Sequence, residues 1–331
     1  MIKINSSNKK YSPDSAGFLM ITDVLVVDED SKVKEIEKIL IEKVTRFSSV
    51  NYIYITNKKK RLTGVISIKE LFRSPGEKPA KQLSPLKLIT ASGETDKEKV
   101  AMLALKKNLK EVPIVDKNKK LLGVVPNDAI LKILHEEATE DLLRLGGVGP
   151  NTPFNKNIFS LPLTTSIKNR LPWLIIGLLG GLLAAGIIGY FEEVLTKHII
   201  LAAFIPLIVY MSDAVGSQMQ AFIIRDLAFD SKLNFAKYLG RQASVVLIMG
   251  LVISVFLYLI SFIIYQEAAI SFILALALFL AILTSLLTGL IIPFLFSRLR
   301  LDPANISGPI ATIIQDVLSV LVYFLIASIL L

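Results

Sequence analysis

The chain has 331 residues, of which 53% are hydrophobic and 20% are charged, and its formal net charge is +9. So apolar a composition argues against an ordinary soluble globular protein, and the lack of any cysteine excludes disulfides and thiolate metal sites. The basic residues stand in turns such as 58–61 and 117–120 without interleaved aromatic side chains, so the charge does not indicate a nucleic-acid partner.

The two halves of the chain differ in composition. Residues 1–150 carry most of the Lys, Asp and Glu, whereas long apolar runs repeat from Leu171 to the last residue. The short N-terminal segment, residues 1–14, has no hydrophobic signal core, which predicts that the first half remains in the cytoplasm. The sequence therefore predicts a cytoplasmic domain followed by a membrane domain.

An internal repeat organises the first half. Residues 53–66 align without gaps on residues 112–125, at an offset of 59. Each copy has a short apolar strand, a polar turn and a second strand introduced by Leu-x-Gly, which is the pattern of a β-hairpin. Apolar residues at helical spacing, such as Val33, Ile36 and Leu40, predict a helix before each hairpin, and another helix is predicted after it. Each unit is therefore predicted to be helix, hairpin, helix.

This repeat resembles a tandem pair of CBS domains. The resemblance implies an α+β domain over residues 15–150, with copies at about 17–76 and 83–141. It also implies two pseudo-symmetric copies with clefts between them that bind adenine nucleotides or metal ions.

Three residues of the repeat stand at the positions of the family's nucleotide-binding pattern, although Glu70 is one methylene longer than the family's aspartate. The resemblance implies that Ser67 and Glu70 of the first copy, and Asp128 of the second, contact ATP or another adenine nucleotide. In the second copy Pro126 replaces the hydroxyl residue and removes a backbone donor. The alternative is that these residues only cap the helices that follow them.

The second half contains five segments long enough to cross a bilayer as helices, which predicts an all-α membrane domain over 170–331. The predicted spans are 171–191, 199–224, 239–265, 270–297 and 306–331. Lys and Arg precede the first span and recur in the second and fourth loops, whereas the third loop has Glu267 and neither Lys nor Arg. Since short cytoplasmic loops are enriched in Lys and Arg, this alternation predicts a multi-pass protein of the plasma or inner membrane with its C-terminus outside.

An ionisable residue stands inside the fifth span. Asp316 has no cation on its own helix, so it is expected to face a partner, a cavity or an ion pathway. The preceding Gly308-Pro309 loosens the helical hydrogen bonds, which would turn the carbonyls of Gly308 and Thr312 toward a pore. Carboxylate and carbonyl oxygens are ligands suited to Mg²⁺.

The second span has a polar, small-residue stretch at 210–218 after Pro206. This predicts a broken helix that lines water, with Asp213 as a second pathway carboxylate. The alternative is that Asp213 pairs with Arg225 or caps the broken helix. Glu192, near the predicted outer mouth, would concentrate cations there, although solvation at the membrane edge explains it equally well.

The order of CBS pair, connecting helix and five spans resembles the MgtE-type magnesium channel and transporter family. The strings that carry the resemblance lie at 15–20, 136–141, 189–192, 216–218, 302–304 and 308–309, together with Asp316. The resemblance implies a homodimer with a Mg²⁺-selective pore at its axis rather than an enzyme. The residues it implies for the metal, together with those derived above, are Asp316, Thr312, Asp213, Gly308, Gln218 and Glu192.

The resemblance also implies gating by cytoplasmic Mg²⁺. The ion would bind among Glu136, Glu137, Glu140 and Asp141 and hold a connecting helix at 151–169 closed.

The chain departs from the family in three places. The family's helical N-terminal domain is not expected in the 14 residues that precede the repeat. Ala129 and Lys132 stand where the family usually has regulatory carboxylates, and a lysine there would repel a cation. Residues 213–218 stand where the family usually has an Asn-Ala-Gly-x-Gln run, and Gly308 stands where an Asn commonly precedes the proline of the last span. The sequence therefore predicts a retained pore and altered gating.

Two other functions are compatible with the pattern. A secondary transporter would exchange a divalent cation for Na⁺ or H⁺, with Asp213 and Asp316 binding in turn. A non-conducting CBS sensor is a more distant possibility, because the polar clusters inside the spans argue against it.

Overall fold

The computed structural model describes residues 10–83, 88–149, 158–229, 233–299, 301 and 303–331, with only the helical backbone described for 303–307. The chain divides into two compact units, Met1–Ala138 and Thr139–Leu331. The predicted fold class, an α+β half followed by an all-helical half, is confirmed.

The first unit contains two copies of one arrangement, preceded by the short helix α1, Ala16–Leu19. The first copy consists of β1 (Val24–Asp28), α2 (Val33–Lys43), β2 (Ser49–Thr56), β3 (Leu62–Ser67) and α3 (Ile68–Arg73). The second consists of β4 (Ala91–Ser92), α4 (Lys97–Lys107), β5 (Val112–Val115), β6 (Leu121–Val125) and α5 (Asn127–Leu145). Both copies contain the predicted helices and hairpin.

Each copy forms a three-stranded sheet in which the first strand is parallel to the second and the last two are antiparallel. The repeat persists in the strand register, because Ile55 pairs with Gly64 in one hairpin and Ile114 with Gly123 in the other. Lys60 and Lys119, at equivalent positions in the two turns, both have positive φ, 58° and 63°. The leading strands β1 and β4 were not predicted.

The described residues of the second unit include five helices long and apolar enough to cross a membrane, as predicted. They are α6 (Leu163–Tyr190), α8 (Ile200–Phe229), α9 (Phe235–Tyr265), the combined α10 (Ala268–Leu286) and α11 (Ile292–Arg298), and α12 (Pro303–Leu330). A short helix, α7 (Glu192–Lys197), lies between α6 and α8. Residues 163–169, predicted to end a connecting helix, continue into α6, whereas 150–157 lie outside the described residues.

The predicted break in the second span is wrong, because α8 is one continuous helix through Pro206 and the polar stretch. Within the stretch, Ser212 and Asp213 are hydrogen-bonded to side chains of α12, whereas Ser217 and Gln218 are exposed. The Ser212 hydroxyl donates to the Ile208 carbonyl at 2.8 Å and lies 2.6 Å from the Ser319 hydroxyl of α12.

The irregular span is the fourth. A π-helical turn, Leu287–Ile291, joins α10 to α11. Such turns are uncommon and frequently occur at functional sites.

Candidate functional site

Three of the predicted metal residues lie together in the helical unit. Thr312 and Asp316 are one turn apart on the same side of α12. The Thr312 side chain is hydrogen-bonded to the carboxylate of Asp213 on α8. The carboxylates of Asp213 and Asp316 interact electrostatically, so the two groups are near one another. All three side chains are partly buried.

The two carboxylates have no basic partner within the described parts of the chain. The alternative that Asp213 pairs with Arg225 is wrong, because the Arg225 guanidinium lies 2.8 Å from Asp226. Like charges at a partly buried site repel each other, and that repulsion is relieved by a bound cation or a proton. The pair therefore has the charge and the oxygen atoms to attract a hard cation.

The other predicted metal residues are placed differently. Gln218 and Glu192 are exposed, on α8 and α7 respectively. Gly308 is buried, and a Cβ there would lie 2.9 Å from the carbonyl oxygen of Leu145. Close backbone packing is therefore sufficient reason for glycine at 308.

A largely buried polar network, which was not predicted from the sequence, adjoins the carboxylate pair. We call it the Gln315 network, and its members are Gln315, Thr288, Thr284, Ser319 and Ser212. The Thr288 hydroxyl donates to the Gln315 Oε1 atom. The Gln315 Nε2 atom donates to the hydroxyls of Thr284, at 2.9 Å, and Ser319, at 3.0 Å. Hydroxyl residues beside Gly289 and Pro293 in an apolar span were the available signal.

The π-helical turn brings backbone atoms close to α8. A Cβ on Gly289 would lie 2.7 Å from the carbonyl oxygen of Gly216 and 3.0 Å from the Cβ of Met219. Only glycine fits this contact without displacement of one helix, so the turn and α8 are held in close register.

The predicted regulatory carboxylates of α5 are largely paired with cations. Glu137 lies 3.2 Å from the Lys97 amino group, which is also 3.0 Å from Asp14. Glu136 lies 3.6 Å from Lys132. Burial alone would lower the pKa of Lys97, but Asp14 and Glu137 raise it overall.

Glu140 follows the same pattern, because it forms an ion pair with Arg144 one turn later. Asp141 lies on the same helix.

The first unit contains a cavity of about 440 Å³ that Ser67 and Glu70 help to line. The remaining lining residues are Tyr52, Val65, Ile66, Leu83, Leu88, Ile89, Leu109, Glu111 and Pro113. The Ser67 hydroxyl accepts a bond from the backbone N–H of Glu70 at 3.2 Å, so it caps α3 as the alternative interpretation predicts. Asp128, in the first turn of α5, does not line this cavity.

Glu111, at the wall of the cavity, is a buried carboxylate. Only 1% of the residue is exposed, and it accepts bonds from Tyr54 at 2.7 Å, Asn51 at 2.9 Å and Ser49. Burial raises the pKa of the Tyr54 hydroxyl well above its usual range, and the adjacent Glu111 carboxylate raises it further. Nothing in the local sequence, where Lys110 precedes Glu111, indicated this environment.

Comparisons with known proteins support the same division of the chain. The MgtE model, described as a divalent cation transporter, matches residues 205–326, and the CBS domain model matches 16–77 and 81–136. The magnesium transporter MgtE of Bacillus subtilis is 32% identical over 96% of this chain and 70% of its own length. Those of Thermus thermophilus and Enterococcus faecalis are 31% and 29% identical, over 97% and 96% of this chain and 71% and 69% of their own.

Among solved structures, the cytosolic domain of the Mg²⁺ channel MgtE in complex with ATP is 28% identical, with a TM-score of 0.37, over 38% of this chain and 51% of that one. The soluble part of a magnesium transporter is 23% identical, with a TM-score of 0.39, over 40% and 52%. The curated relatives are transporters that match nearly the whole of this chain and more than two thirds of their own. The chain therefore belongs to the MgtE family of magnesium transporters.

Proposed function

We propose that the chain conducts Mg²⁺ across the membrane through a pathway in which Asp213, Thr312 and Asp316 bind the ion. The observation that carries the proposal is the pair of neighbouring carboxylates, contributed by two different helices, without a basic partner among the described residues. Two negative charges match one divalent cation.

The composition of this cluster suits a partly hydrated ion. Mg²⁺ gives up its waters reluctantly and binds proteins through one or two carboxylates while it keeps several waters. Asp316 and Asp213 would contact the ion or its waters, and the Thr312 oxygens would complete the shell. Such binding is strong enough to attract the ion and weak enough to release it, which conduction requires.

The proposed assembly is a homodimer in the plasma or inner membrane, with the CBS pair in the cytoplasm and the C-terminus outside. Support for the orientation comes from Arg225, Lys237, Arg241 and Arg298, which flank the second and fourth loops, whereas Glu267 lies in the third. No residue in the apolar window of α6 is buried by the rest of the unit. This helix therefore has surface available for lipid or a second copy of the chain.

Mg²⁺ uptake into proteoliposomes tests the pathway. Asp316→Asn keeps the size of the side chain and removes its charge, so we expect Mg²⁺ flux to fall at least about tenfold. Glu267→Gln is the matched control, because it removes a carboxylate at the N-terminus of α10 whose side chain makes no cap. If Asp316→Asn conducts like the wild type, the assignment of the pathway is wrong.

The paired carboxylates also suit a secondary transporter that exchanges the divalent cation for Na⁺ or H⁺. The same vesicles separate the two mechanisms. A channel responds to membrane potential alone, whereas an exchanger requires a gradient of the counter-ion. Strict dependence on such a gradient would replace channel conduction with exchange.

For the CBS pair we propose a sensor of cytoplasmic Mg²⁺ that is weaker than the resemblance implies. The proposal rests on the ion pairs of Glu136, Glu137 and Glu140, which already neutralise three carboxylates of α5. Protease protection of residues 151–169 by Mg²⁺ is the test. Protection that is complete below millimolar Mg²⁺ would contradict a weakened sensor.

An adenine nucleotide is the proposed ligand of the 440 Å³ cavity, with Glu70 at its wall. Calorimetric titration of the purified chain with ATP, and with adenosine for comparison, is the measurement. No heat of binding with either compound would remove this assignment.

A further inference from the structure

Four of the five members of the Gln315 network are buried among apolar helices, and Thr284 is partly buried. Ser212, Thr288 and Ser319 have no exposed surface, and Gln315 is 1% exposed. A polar side chain at such a position is costly unless each polar atom has a partner, so its bonds fix its orientation.

Both polar atoms of the Gln315 side chain have partners. Its oxygen accepts from Thr288 in the π-helical turn, and its nitrogen donates to Thr284 of α10 and Ser319 of its own helix. Rotation of α12 about its axis would break the bonds to Thr288 and Thr284 together, because both cross to the fourth span. The rotational position of α12 relative to the fourth span is therefore fixed at Gln315.

The network also joins α12 to α8. The hydroxyls of Ser319 and Ser212 lie 2.6 Å apart, and since each has one hydrogen, one hydroxyl donates to the other while the accepting one donates to a carbonyl of its own helix. Ser212 directly precedes Asp213, and Gln315 directly precedes Asp316. Each carboxylate of the pair thus follows a residue whose position the network fixes.

We propose that the Gln315 network is a positioning device that sets the separation of Asp213 and Asp316 and thereby the preference for Mg²⁺ over Ca²⁺. The proposal rests on the ion pathway proposed above. Mg²⁺ demands a near-ideal octahedral shell, whereas the larger Ca²⁺ accepts variable geometry. A fixed separation of the carboxylates favours the smaller ion, and a looser one admits both.

Thr288→Val is the informative substitution, since it replaces the hydroxyl with a methyl group of similar size and leaves the Gln315 oxygen without its donor. Thr288→Ser retains the hydroxyl. Ser261→Ala is the matched control, because Ser261 is fully buried and, among the described residues, its hydroxyl bonds within α9, to the carbonyls of Leu257 at 2.7 Å and Tyr258 at 3.1 Å.

The measurements are the half-saturating Mg²⁺ concentration and the ratio of Mg²⁺ to Ca²⁺ flux in proteoliposomes. We expect Thr288→Val to lower the flux ratio about tenfold, the equivalent of one buried hydrogen bond, and the serine variant and the control to stay within about twofold of wild type. Thr288→Val could instead lower only the maximal flux or the heat resistance, and leave the half-saturating Mg²⁺ concentration and the flux ratio unchanged. That result would show a merely structural role and overturn the proposal.

Ser319→Ala provides the second test if Thr288→Val does not fold, because it removes the bonds to both Ser212 and Gln315. It should lower the same ratio, and an unchanged ratio would again overturn the proposal. Asp316→Asn separates the two levels of inference. If Asp316→Asn keeps wild-type Mg²⁺ flux, the pathway itself is refuted. If Asp316→Asn loses flux but Thr288→Val keeps the wild-type ratio of Mg²⁺ to Ca²⁺ flux, only the positioning role is refuted.

Discussion

Replacement of Gly289 by alanine tests the close approach of the π-helical turn to α8. The added Cβ would lie 2.7 Å from the Gly216 carbonyl oxygen and 3.0 Å from the Met219 Cβ, and both are too short for carbon contacts. The first of these atoms belongs to the backbone and cannot rotate away. Overpacking of this kind costs about 1–3 kcal/mol, and the helix propensity of alanine returns up to about 1 kcal/mol. We therefore expect a net loss of about 1–2 kcal/mol.

Two other glycines provide matched controls. A Cβ on Gly216 would meet its nearest neighbour, the Ser285 Cβ, at 3.6 Å, which is an ordinary contact, and one on Gly181 would meet nothing within 4 Å. Alanine at either position should be neutral or slightly stabilising.

The assay is the fraction of detergent-solubilised protein that remains monodisperse after heating. The midpoint for Gly289→Ala should fall by about 2–6 °C, whereas those of the controls should not fall. Wild-type heat resistance in Gly289→Ala, with a loss in Gly216→Ala, would refute the packing that we describe.

Three further predictions concern the first unit. Tyr54→Phe leaves the buried Glu111 without one donor and should destabilise the unit by about 1.5–3 kcal/mol, measured as faster hydrogen exchange of β2 in the intact chain. The hydrogen bonds of Lys32 and Lys34 lower the pKa of Glu77 from 4.5 to about 2, so its stabilising effect is present above pH 4.5 and is lost as the pH falls toward 2. Glu77→Gln should remove this part of the acid sensitivity of melting, with the two proteins converging near pH 2. Lys97→Met breaks partly exposed ion pairs and should cost no more than about 1 kcal/mol in denaturant unfolding.

Each of these predictions has a result that would contradict it. Unchanged exchange of β2 in Tyr54→Phe would mean that Glu111 does not depend on that donor. Equal acid sensitivity of Glu77→Gln and wild type between pH 2 and 5 would remove the inferred role of the carboxylate. For that comparison Glu42→Gln is the control, since Glu42 lies 3.9 Å from Lys38 in a looser pair. A loss of several kcal/mol in Lys97→Met would indicate a buried rather than a partly exposed pair.

Much of the fold could be predicted because its signals are local. The repeat, at an offset of 59 residues, specifies both hairpins, and it includes the equivalent glycines of the second strands, Gly64 and Gly123. Five apolar runs specify five helices, because a bilayer fixes the length that each needs. The strands β1 and β4 were missed because they pair in parallel with distant strands, and such pairing leaves no turn signal next to them.

The site was predicted in part for a related reason. Asp213 and Asp316 are conspicuous in apolar sequence, so their involvement was visible. The second and fourth spans both contain proline, glycine and hydroxyl residues, and sequence alone did not show which helix would be irregular. Ser212 contacts Ser319 from a regular helix, whereas Thr288 reaches Gln315 from a π-helical turn.

The π-helical turn also changes how the fourth span must be compared with those of relatives. A π turn takes about one more residue to complete than an α turn, so α10 and α11 are out of phase on a helical wheel. Buried positions follow 3–4 spacing from Ile270 to Ser285, whereas three consecutive residues of the turn, Thr288, Gly289 and Leu290, are all buried, and Pro293 follows them. A relative with a straight helix here would present the same side chains to its neighbours with one residue fewer. A one-residue gap in a sequence alignment of this span would therefore reflect a change of helix type rather than a change in the length of the membrane crossing.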